Sequence, residues 1–207
     1  MIKNNLSSLL LSDAVDELSA LPGIGRKSAL RFALHILKQP RENVERFSKS
    51  ILRMREEIRY CLECNMISDT PVCPLCSDKS RNRSVVCVVE SIRDVISIEN
   101  TGEYNGLYHV LGGIISPIDG VSPSDLTIDS LVKRLDGSEI EEVFMALSTT
   151  MEGETTSFYI YKKIVGFKVR VSTIARGVGF GDELEYTDEV TLGRSITNRQ
   201  PFMPVNQ

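Results

Sequence analysis

Four cysteines constrain the fold of this chain more than any other feature of its sequence. Cys61, Cys64, Cys73 and Cys76 follow the spacing C-x2-C-x8-C-x2-C. Each close pair can bind one edge of a tetrahedral zinc ion, and thiolate sulfur is the ligand that closed zinc sites prefer. Because four cysteines complete the coordination shell, the spacing predicts a structural zinc. Two disulfides, or buried thiols that are close only in sequence, are the alternatives.

The composition is that of a globular protein. The chain has 207 residues, of which 42% are hydrophobic, enough for one large domain or two small ones. Asp13 and Asp16 interrupt the apolar run near the start before it can form a signal-peptide core, and no later stretch approaches transmembrane length. We therefore expect a cytoplasmic protein without a membrane partner, in a compartment where disulfides are rare.

The net charge of −4 conceals two parts of opposite sign. Residues 1–60 contain 11 Lys and Arg against 7 Asp and Glu, and residues 84–207 contain 10 against 18. Residues 61–83, which hold the cysteines, contain three of each kind. A basic segment on an acidic chain indicates a local anion-binding surface, although solvated helix faces would give the same charges.

The basic part is predicted to contain two helices joined by a tight hairpin. Apolar residues at helical spacing indicate helices over about 7–20 and 26–38, and Leu-Pro-Gly-Ile-Gly at 21–25 breaks the pattern between them. Glycines let the hairpin approach a ligand closely, and free amides at the start of the second helix can donate to a phosphate. Two cations four residues apart lie on the same helix face. The predicted phosphate-binding residues are Gly23, Gly25, Lys27 and Arg31.

This pattern resembles the helix-hairpin-helix, a DNA-binding element that does not select sequence and that can also mediate dimerisation. An ordinary turn between packed helices, with Ile24 as a core residue, is the alternative. After Pro40 a third helix is predicted over about 41–60, ending directly before the first cysteine. Its apolar stripe consists of Val44, Phe47, Ile51, Met54 and Ile58.

The acidic part alternates short apolar runs with helical stretches, which predicts a mostly parallel sheet covered by helices. Ligands of such sheets bind beyond the carboxyl ends of the strands, where Glu90 and the segment 148–154 fall. A last helix over about 188–198 follows a glycine-rich loop and precedes a tail with Pro201 and Pro204. The expected strands are 85–89, 107–111, 143–147 and 168–174, and the expected helices are 92–99, 125–135 and 155–164.

Val88-Val89-Glu90, followed later by Glu152-Gly153-Glu154, resembles the Toprim domain, a metal-binding α/β module of topoisomerases, primases and some nucleases. Catalytic members combine a glutamate after the first strand with an Asp-x-Asp that helps to hold Mg²⁺. Here Ser148 and Thr150 stand at the Asp-x-Asp positions, so the resemblance implies weak or absent metal-dependent cleavage and a doubtful Mg²⁺ site. It places Glu90, Glu152 and Glu154 on a face that contacts partners.

The order of all these parts resembles the RecR family of bacterial recombination mediators. The resemblance implies domains over 1–60 (helix-hairpin-helix), 61–83 (four-cysteine zinc finger), 84–174 (Toprim) and 175–207 (glycine-rich loop, helix and tail). Residues 148–150 and Gly179 depart from the family pattern, which usually has Asn-Pro-Thr and a proline there. Further segments that carry the resemblance are Leu-Tyr-His-Val-Leu-Gly-Gly at 107–113, Ala-Arg-Gly at 175–177 and Leu-Glu-Tyr-Thr-Asp-Glu-Val-Thr-Leu at 184–192.

The resemblance also implies a function. Family members are non-enzymatic proteins that bind single- and double-stranded DNA without sequence preference and assemble into dimers and ring-like tetramers. They act with RecO and RecF to load RecA onto single-stranded gaps coated by single-strand-binding protein. A Toprim nuclease that uses the three glutamates for Mg²⁺ is the main alternative, and a scaffold that contacts only proteins is another.

Overall fold

A computed structural model describes residues 8–175, 177–179, 181 and 183–198. Arg176, within the Ala-Arg-Gly segment, and the tail residues Pro201 and Pro204 lie outside the described residues. The chain divides into two compact units, Met1–Ile58 and Arg59–Gln207. Within the described ranges, no helix combines the length and the apolar character needed to cross a bilayer.

The first unit contains three helices, and the first two form its core. Val15 of the first helix and Ala29 and Ala33 of the second are buried together, with Ile24 of the hairpin packed against them. Small alanines let the two helices approach closely. Ser8 begins the first helix by accepting a hydrogen bond from the Leu11 amide. The helices are α1 (Leu9–Ser19), α2 (Arg26–Leu37) and α3 (Arg41–Glu57).

α3 ends three residues earlier than its apolar pattern predicts. Ile58 is extended, and the next two residues form strand β1 (Arg59–Tyr60), which pairs antiparallel with β2 (Ile67–Ser68). The ladder hydrogen bonds of this hairpin outcompete the helical continuation that the sequence favours. No residue of α3 is buried within the described part of the chain. Phe47, Ile51 and Met54 of its apolar stripe are exposed, and Val44 is partly buried.

The second unit is built on a four-stranded parallel sheet in the order β4-β3-β5-β6, which confirms the predicted α/β class. Helices alternate with the strands, and the buried strand β3 sends successive side chains to opposite faces. Val86 and Val88 join one core, and Cys87 and Val89 join the other. The elements are α4 (Pro74–Ser77), β3 (Asn82–Val89), α5 (Ile92–Glu99), β4 (Gly106–Val110), α6 (Ile128–Leu135), β5 (Glu142–Met145), α7 (Met151–Ile164), β6 (Arg170–Thr173) and α8 (Glu189–Thr197), with 3-10 turns at Pro123–Asp125 and Leu184–Tyr186.

Two helices begin at other places than the sequence predicts. The expected helix over 125–135 is interrupted at Leu126, which is extended, so α6 starts at Ile128. The helix expected from residue 155 starts at Met151, because the Thr150 side chain accepts a hydrogen bond from the Gly153 amide. Glu152 and Glu154 therefore lie in the first turn of α7, where carboxylates interact favourably with the helix dipole.

Candidate metal centre and nucleic-acid surface

The four cysteines converge on one buried point. Their sulfur atoms all lie within 4.8 Å of one another, and each residue is at most 2% exposed. The Sγ atoms of Cys64 and Cys73 are 3.5 Å apart, well beyond the length of a disulfide bond. The described residues contain no other group of three or more His, Cys, Asp or Glu side chains placed to share a metal ion.

Backbone amides favour the thiolate form at one of the four cysteines, Cys61. The Cys73 amide donates to the sulfur of Cys61 at 3.3 Å. Burial raises the pKa of Cys61, but amides from Cys73, Cys64 and Glu63 donate to its sulfur and bring the pKa down to about 7. Burial raises the pKa of Cys73 to about 11. Four thiolates at this spacing require a neutralising cation, and an all-sulfur tetrahedral donor set fits zinc with no position left for a substrate.

The cysteine segment is bound firmly to the α/β sheet of its own unit. The Val110 amide at the end of β4 donates to the carbonyl of Cys64 at 2.8 Å. The Asn65 side chain donates to the Ser130 hydroxyl at 3.2 Å, and the Arg83 guanidinium donates to the carbonyl of Cys76 at 3.2 Å. Asn65 has a φ of 60°, the left-handed conformation that closes the turn after Cys64. A metal here fixes a segment that the sheet also holds.

The hairpin between α1 and α2 presents an open surface with donors. Gly23 has a φ of 78°, which glycine adopts without strain, and no atom of the described residues lies within 4 Å of a Cβ built at Gly23 or Gly25, chain neighbours aside. Gly25 begins α2 without a side-chain cap, and amides at such a helix start can donate to an anion. The predicted close approach of a phosphate backbone is therefore sterically possible at this hairpin.

The cations beside this hairpin differ in their availability. Arg26 forms an ion pair with Asp16 at 2.5 Å. Lys27 and Arg31 are exposed, and neither makes an ion pair with any residue that the structure describes. The Arg31 guanidinium lies 5.6 Å from the ring centre of Phe32, which orients it at the surface. The structure thus brings these two cations to one face of α2, one turn apart.

Two of the three glutamates of the acidic part, Glu90 and Glu154, have separate partners, and Glu152 lies in the first turn of α7. The Glu90 carboxylate accepts a hydrogen bond from the Ser148 amide at 2.6 Å, across 58 residues of sequence. Glu154 lies 3.9 Å from Arg194 of α8. The hydroxyls of Ser148 and Thr150 are 3.2 Å apart and hydrogen bond to each other. Sequence reasoning missed the bond between Glu90 and Ser148, because no local pattern signals a contact between two strand ends.

Family comparisons match almost the whole chain in four segments. Residues 11–55 match the helix-hairpin-helix of RecR, and residues 58–78 match the RecR zinc-finger domain that is defined by four cysteines. Residues 84–175 match the Toprim domain, and residues 177–200 match the C-terminal segment of RecR. The zinc-finger match covers all four cysteines, which supports zinc as the metal that their sulfur atoms would hold.

Curated relatives extend the same similarity over the full length. The chain is 57% identical over 196 residues to recombination protein RecR of Porphyromonas gingivalis strain W83, covering 95% of each chain. It is 57% identical to recombination protein RecR of Flavobacterium johnsoniae, again over 95% of each chain. Recombination protein RecR of Bacteroides thetaiotaomicron is 58% identical, covering 94% of this chain and 95% of the relative. This chain belongs to the RecR family of recombination proteins.

Proposed function

We propose that the protein is a non-catalytic DNA-binding mediator of recombinational repair that acts in the cytoplasm. It acts with RecO and RecF to load RecA onto single-stranded gaps coated by single-strand-binding protein. One observation carries the DNA contact: Lys27 and Arg31 are exposed cations without ion pairs in the described chain, beside the uncapped start of α2. A DNA backbone supplies the phosphates that such a surface binds, in single- and double-stranded form alike.

The division of labour along the chain is part of this proposal. Residues 1–60 bind DNA and mediate self-association into dimers or tetramers, and residues 61–83 fix the structure through zinc. Residues 84–174 present Glu90, Glu152 and Glu154 towards protein partners, and residues 175–207 complete the unit. The exposed Phe47, Ile51 and Met54 of α3 support self-association, because a contiguous exposed apolar face can mark a contact surface.

The absence of catalysis is supported by the chemistry at the strand ends. A Mg²⁺ site for phosphodiester cleavage needs several free carboxylates. Glu90 already binds the Ser148 amide, Glu154 is close to Arg194, and hydroxyls stand at residues 148 and 150. A hydroxyl carries no charge with which to concentrate Mg²⁺. Zinc at the four cysteines has a closed shell and therefore takes no part in a reaction.

The DNA contact is tested by replacing both cations, as Lys27→Ala with Arg31→Ala. Each phosphate contact contributes about 0.9 to the slope of log affinity against log salt for duplex DNA. We expect the double variant to lose roughly tenfold or more in affinity and to reduce that slope by about 2. Fluorescence anisotropy with labelled single- and double-stranded DNA over a series of salt concentrations measures both quantities.

The matched control is Lys133→Ala with Lys168→Ala. It removes the same charge from exposed positions of the second unit. Its salt slope should equal that of the wild type. If the two double variants bind DNA equally well, the hairpin face is not the DNA-binding surface.

A Toprim nuclease remains the second candidate, because residues 84–175 match the Toprim domain and Glu90 stands at the end of β3. Incubation of the protein with supercoiled and nicked DNA in Mg²⁺ or Mn²⁺ separates the two functions. The mediator produces no cleavage above background. Reproducible cleavage that disappears in Glu90→Gln would establish the nuclease instead.

A further inference from the structure

Tyr60 presents an aromatic ring to solvent from a rigid backbone. Its side chain is 69% exposed, although strand pairing with Ile67 fixes the residue itself. The next residue is Cys61, whose amide donates to the Met66 carbonyl at 2.7 Å and whose sulfur belongs to the metal cluster. The ring can therefore stack on a ligand without the entropic cost of ordering the backbone that carries it.

The same ring lines a cavity of about 450 Å³ at the carboxyl ends of β3 and β4. Ile92, Val110 and Leu111 supply an apolar lining, and Ser91 adds a hydroxyl. Parallel α/β sheets bind their ligands beyond the carboxyl ends of the strands. The cavity thus combines an exposed aromatic ring, an apolar lining and the location typical of ligand sites in this architecture.

One cation near this cavity is available for a phosphate. Arg93 follows the lining residue Ile92 in the first turn of α5, is exposed, and forms no ion pair with described residues. The nearby carboxylates are engaged locally. Glu90 accepts from the Ser148 amide, and Asp94 accepts from the amide and the hydroxyl of Ser91. Asp125, which lines the cavity, accepts from the amide and the hydroxyl of Ser122.

We propose that this cavity binds an unpaired base of single-stranded DNA, stacked on Tyr60, with Arg93 at a flanking phosphate. The proposal rests on the proposed DNA-binding function and adds a second contact of a different kind. The hairpin surface binds phosphates of either form of DNA, whereas stacking on Tyr60 requires a base that is free of its complementary strand. The cavity therefore gives the protein a preference for single strands.

An apolar side chain of a protein partner is the competing occupant, and it predicts different behaviour. Such a side chain does not require a cation at Arg93, and its binding does not depend on the form of the DNA. Base stacking on an aromatic side chain is worth about 1–3 kcal/mol per base, which corresponds to about 5- to 150-fold in affinity. This size is large enough to separate the two occupants by measurement.

The first experiment compares binding of the full-length protein to oligo-dT and to a duplex of equal length. Tyr60→Ala should weaken binding to oligo-dT by about 5- to 150-fold and leave duplex binding within about twofold. Tyr60→Leu keeps an apolar side chain without a π face and should behave like Tyr60→Ala. Tyr186→Ala removes another exposed tyrosine, 80% exposed, and serves as the control with unchanged binding.

The second experiment uses the intrinsic fluorescence of the protein, which contains six tyrosines and no tryptophan. Stacked bases quench tyrosine emission, so oligo-dT should quench part of the wild-type signal at saturation. Tyr60→Phe retains the stacking surface and should bind oligo-dT within about threefold of the wild type, but it should lose this quenching. This variant also separates stacking from any loss of folding in Tyr60→Ala, since Phe preserves the ring.

Several outcomes would overturn the proposal. These are equal losses on single- and double-stranded DNA, full oligo-dT affinity in Tyr60→Ala, wild-type affinity in Tyr60→Leu, and quenching that persists in Tyr60→Phe. A wrong assignment of the hairpin as the phosphate-binding surface would show separately. In that case Lys27→Ala with Arg31→Ala leaves duplex binding unchanged, while the Tyr60 variants still change the affinity for oligo-dT.

Discussion

At the scale of single residues, Gly153 explains how the strand end and α7 can meet. A side-chain carbon built at this position would lie 2.1 Å from the Ser148 carbonyl oxygen, far inside contact distance. The obstacle is backbone, so a larger residue cannot be accommodated by a change of rotamer. Glycine here allows the Thr150 cap and holds Ser148 where its amide reaches Glu90.

We expect Gly153→Ala to destabilise the protein by at least about 1–3 kcal/mol, the usual cost of forcing extra carbon into a filled site. Urea unfolding followed by circular dichroism measures the change in free energy. Gly166→Ala is the control, because no atom in the part of the chain that the structure describes lies within 4 Å of its added carbon and no left-handed φ is required there. Equal stability of the two variants would show that the Ser148 contact does not constrain the helix start.

An ion pair between a buried arginine and a partly exposed glutamate connects the segment after the cysteines to the rest of its unit. Arg81, whose side chain is 7% exposed, donates to the Gly106 carbonyl at 2.8 Å and to both carboxylate oxygens of Glu99. The Tyr108 hydroxyl donates to the same carboxylate at 2.7 Å. The hydrogen bonds from Arg81, and next the one from Tyr108, lower the pKa of Glu99 below its ordinary value of 4.5, against the opposing effect of burial.

This shift predicts a pH dependence of stability. A carboxyl group whose pKa is lower in the folded state contributes stability that is fully present above its unfolded pKa. That contribution disappears as the pH falls below about 4.5 towards the lower folded pKa. The free energies of unfolding of wild type and Glu99→Gln should therefore differ by a constant amount above about pH 5 and converge in acid. Glu103→Gln changes an exposed position and should have the same free energy of unfolding as the wild type at every pH. A difference between wild type and Glu99→Gln that does not shrink in acid would contradict the prediction.

At the scale of elements, the cysteine segment, residues 61–83, is held in place by contacts with the sheet of its own unit. It leads into β3, and its turns are held by Val110, Ser130 and Arg83 of the same unit. Its three acidic and three basic residues give no excess positive charge for DNA. These contacts support a role in stability, because a closed sulfur shell stabilises a fold without exposing the metal.

Removal of one ligand should therefore act first on stability. Cys64→Ser, or treatment of the wild type with a strong chelator, is expected to release zinc and lower the melting temperature before DNA affinity changes directly. Zinc content by elemental analysis and melting by calorimetry provide the two measurements. Cys87→Ala alters a buried thiol outside the cluster and should retain the metal. A metal-free variant that melts like the wild type but has lost DNA binding would instead identify a DNA-reading finger.

At the scale of the whole molecule, each unit carries a different charge and a different kind of surface. The basic unit has a core of small side chains from α1 and α2, and α3 adds none of its residues to it. Phe47, Ile51 and Met54 of α3 are 53%, 48% and 57% exposed. Apolar side chains repeated at helical spacing stabilise a fold only when another surface covers them.

The proposed self-association through α3 is tested by removing this apolar surface. Phe47→Ser with Ile51→Ser should lower the mass of the particle in solution, measured by light scattering at several protein concentrations. Ser48→Ala with Ser50→Ala changes exposed neighbours without removing apolar surface and should leave the mass unchanged. If the wild type is a single chain at every concentration, α3 serves another purpose.

The amino-acid sequence by itself determined the parts of the protein that depend on local spacing. The cysteine pattern predicted the metal cluster, the glycine hairpin with Lys27 and Arg31 predicted a basic helix face, and the alternating apolar runs predicted a parallel sheet. Each follows from residues a few positions apart, whose geometry helices, turns and strands impose. The occurrence of these three patterns together, in this order along the chain, indicated the family.

Only the tertiary structure decided what depends on contacts between distant segments. The bond between Glu90 and Ser148 changed the interpretation of a carboxylate, since it occupies an oxygen that could otherwise bind metal. The start of α7 depends on the close approach of Gly153 to Ser148, and the end of α3 depends on pairing with Ile67. The cavity at Tyr60 forms where Tyr60 and Asn65 lie beside the carboxyl ends of β3 and β4. Local propensity does not encode these contacts, because their energy comes from packing partners far away in sequence.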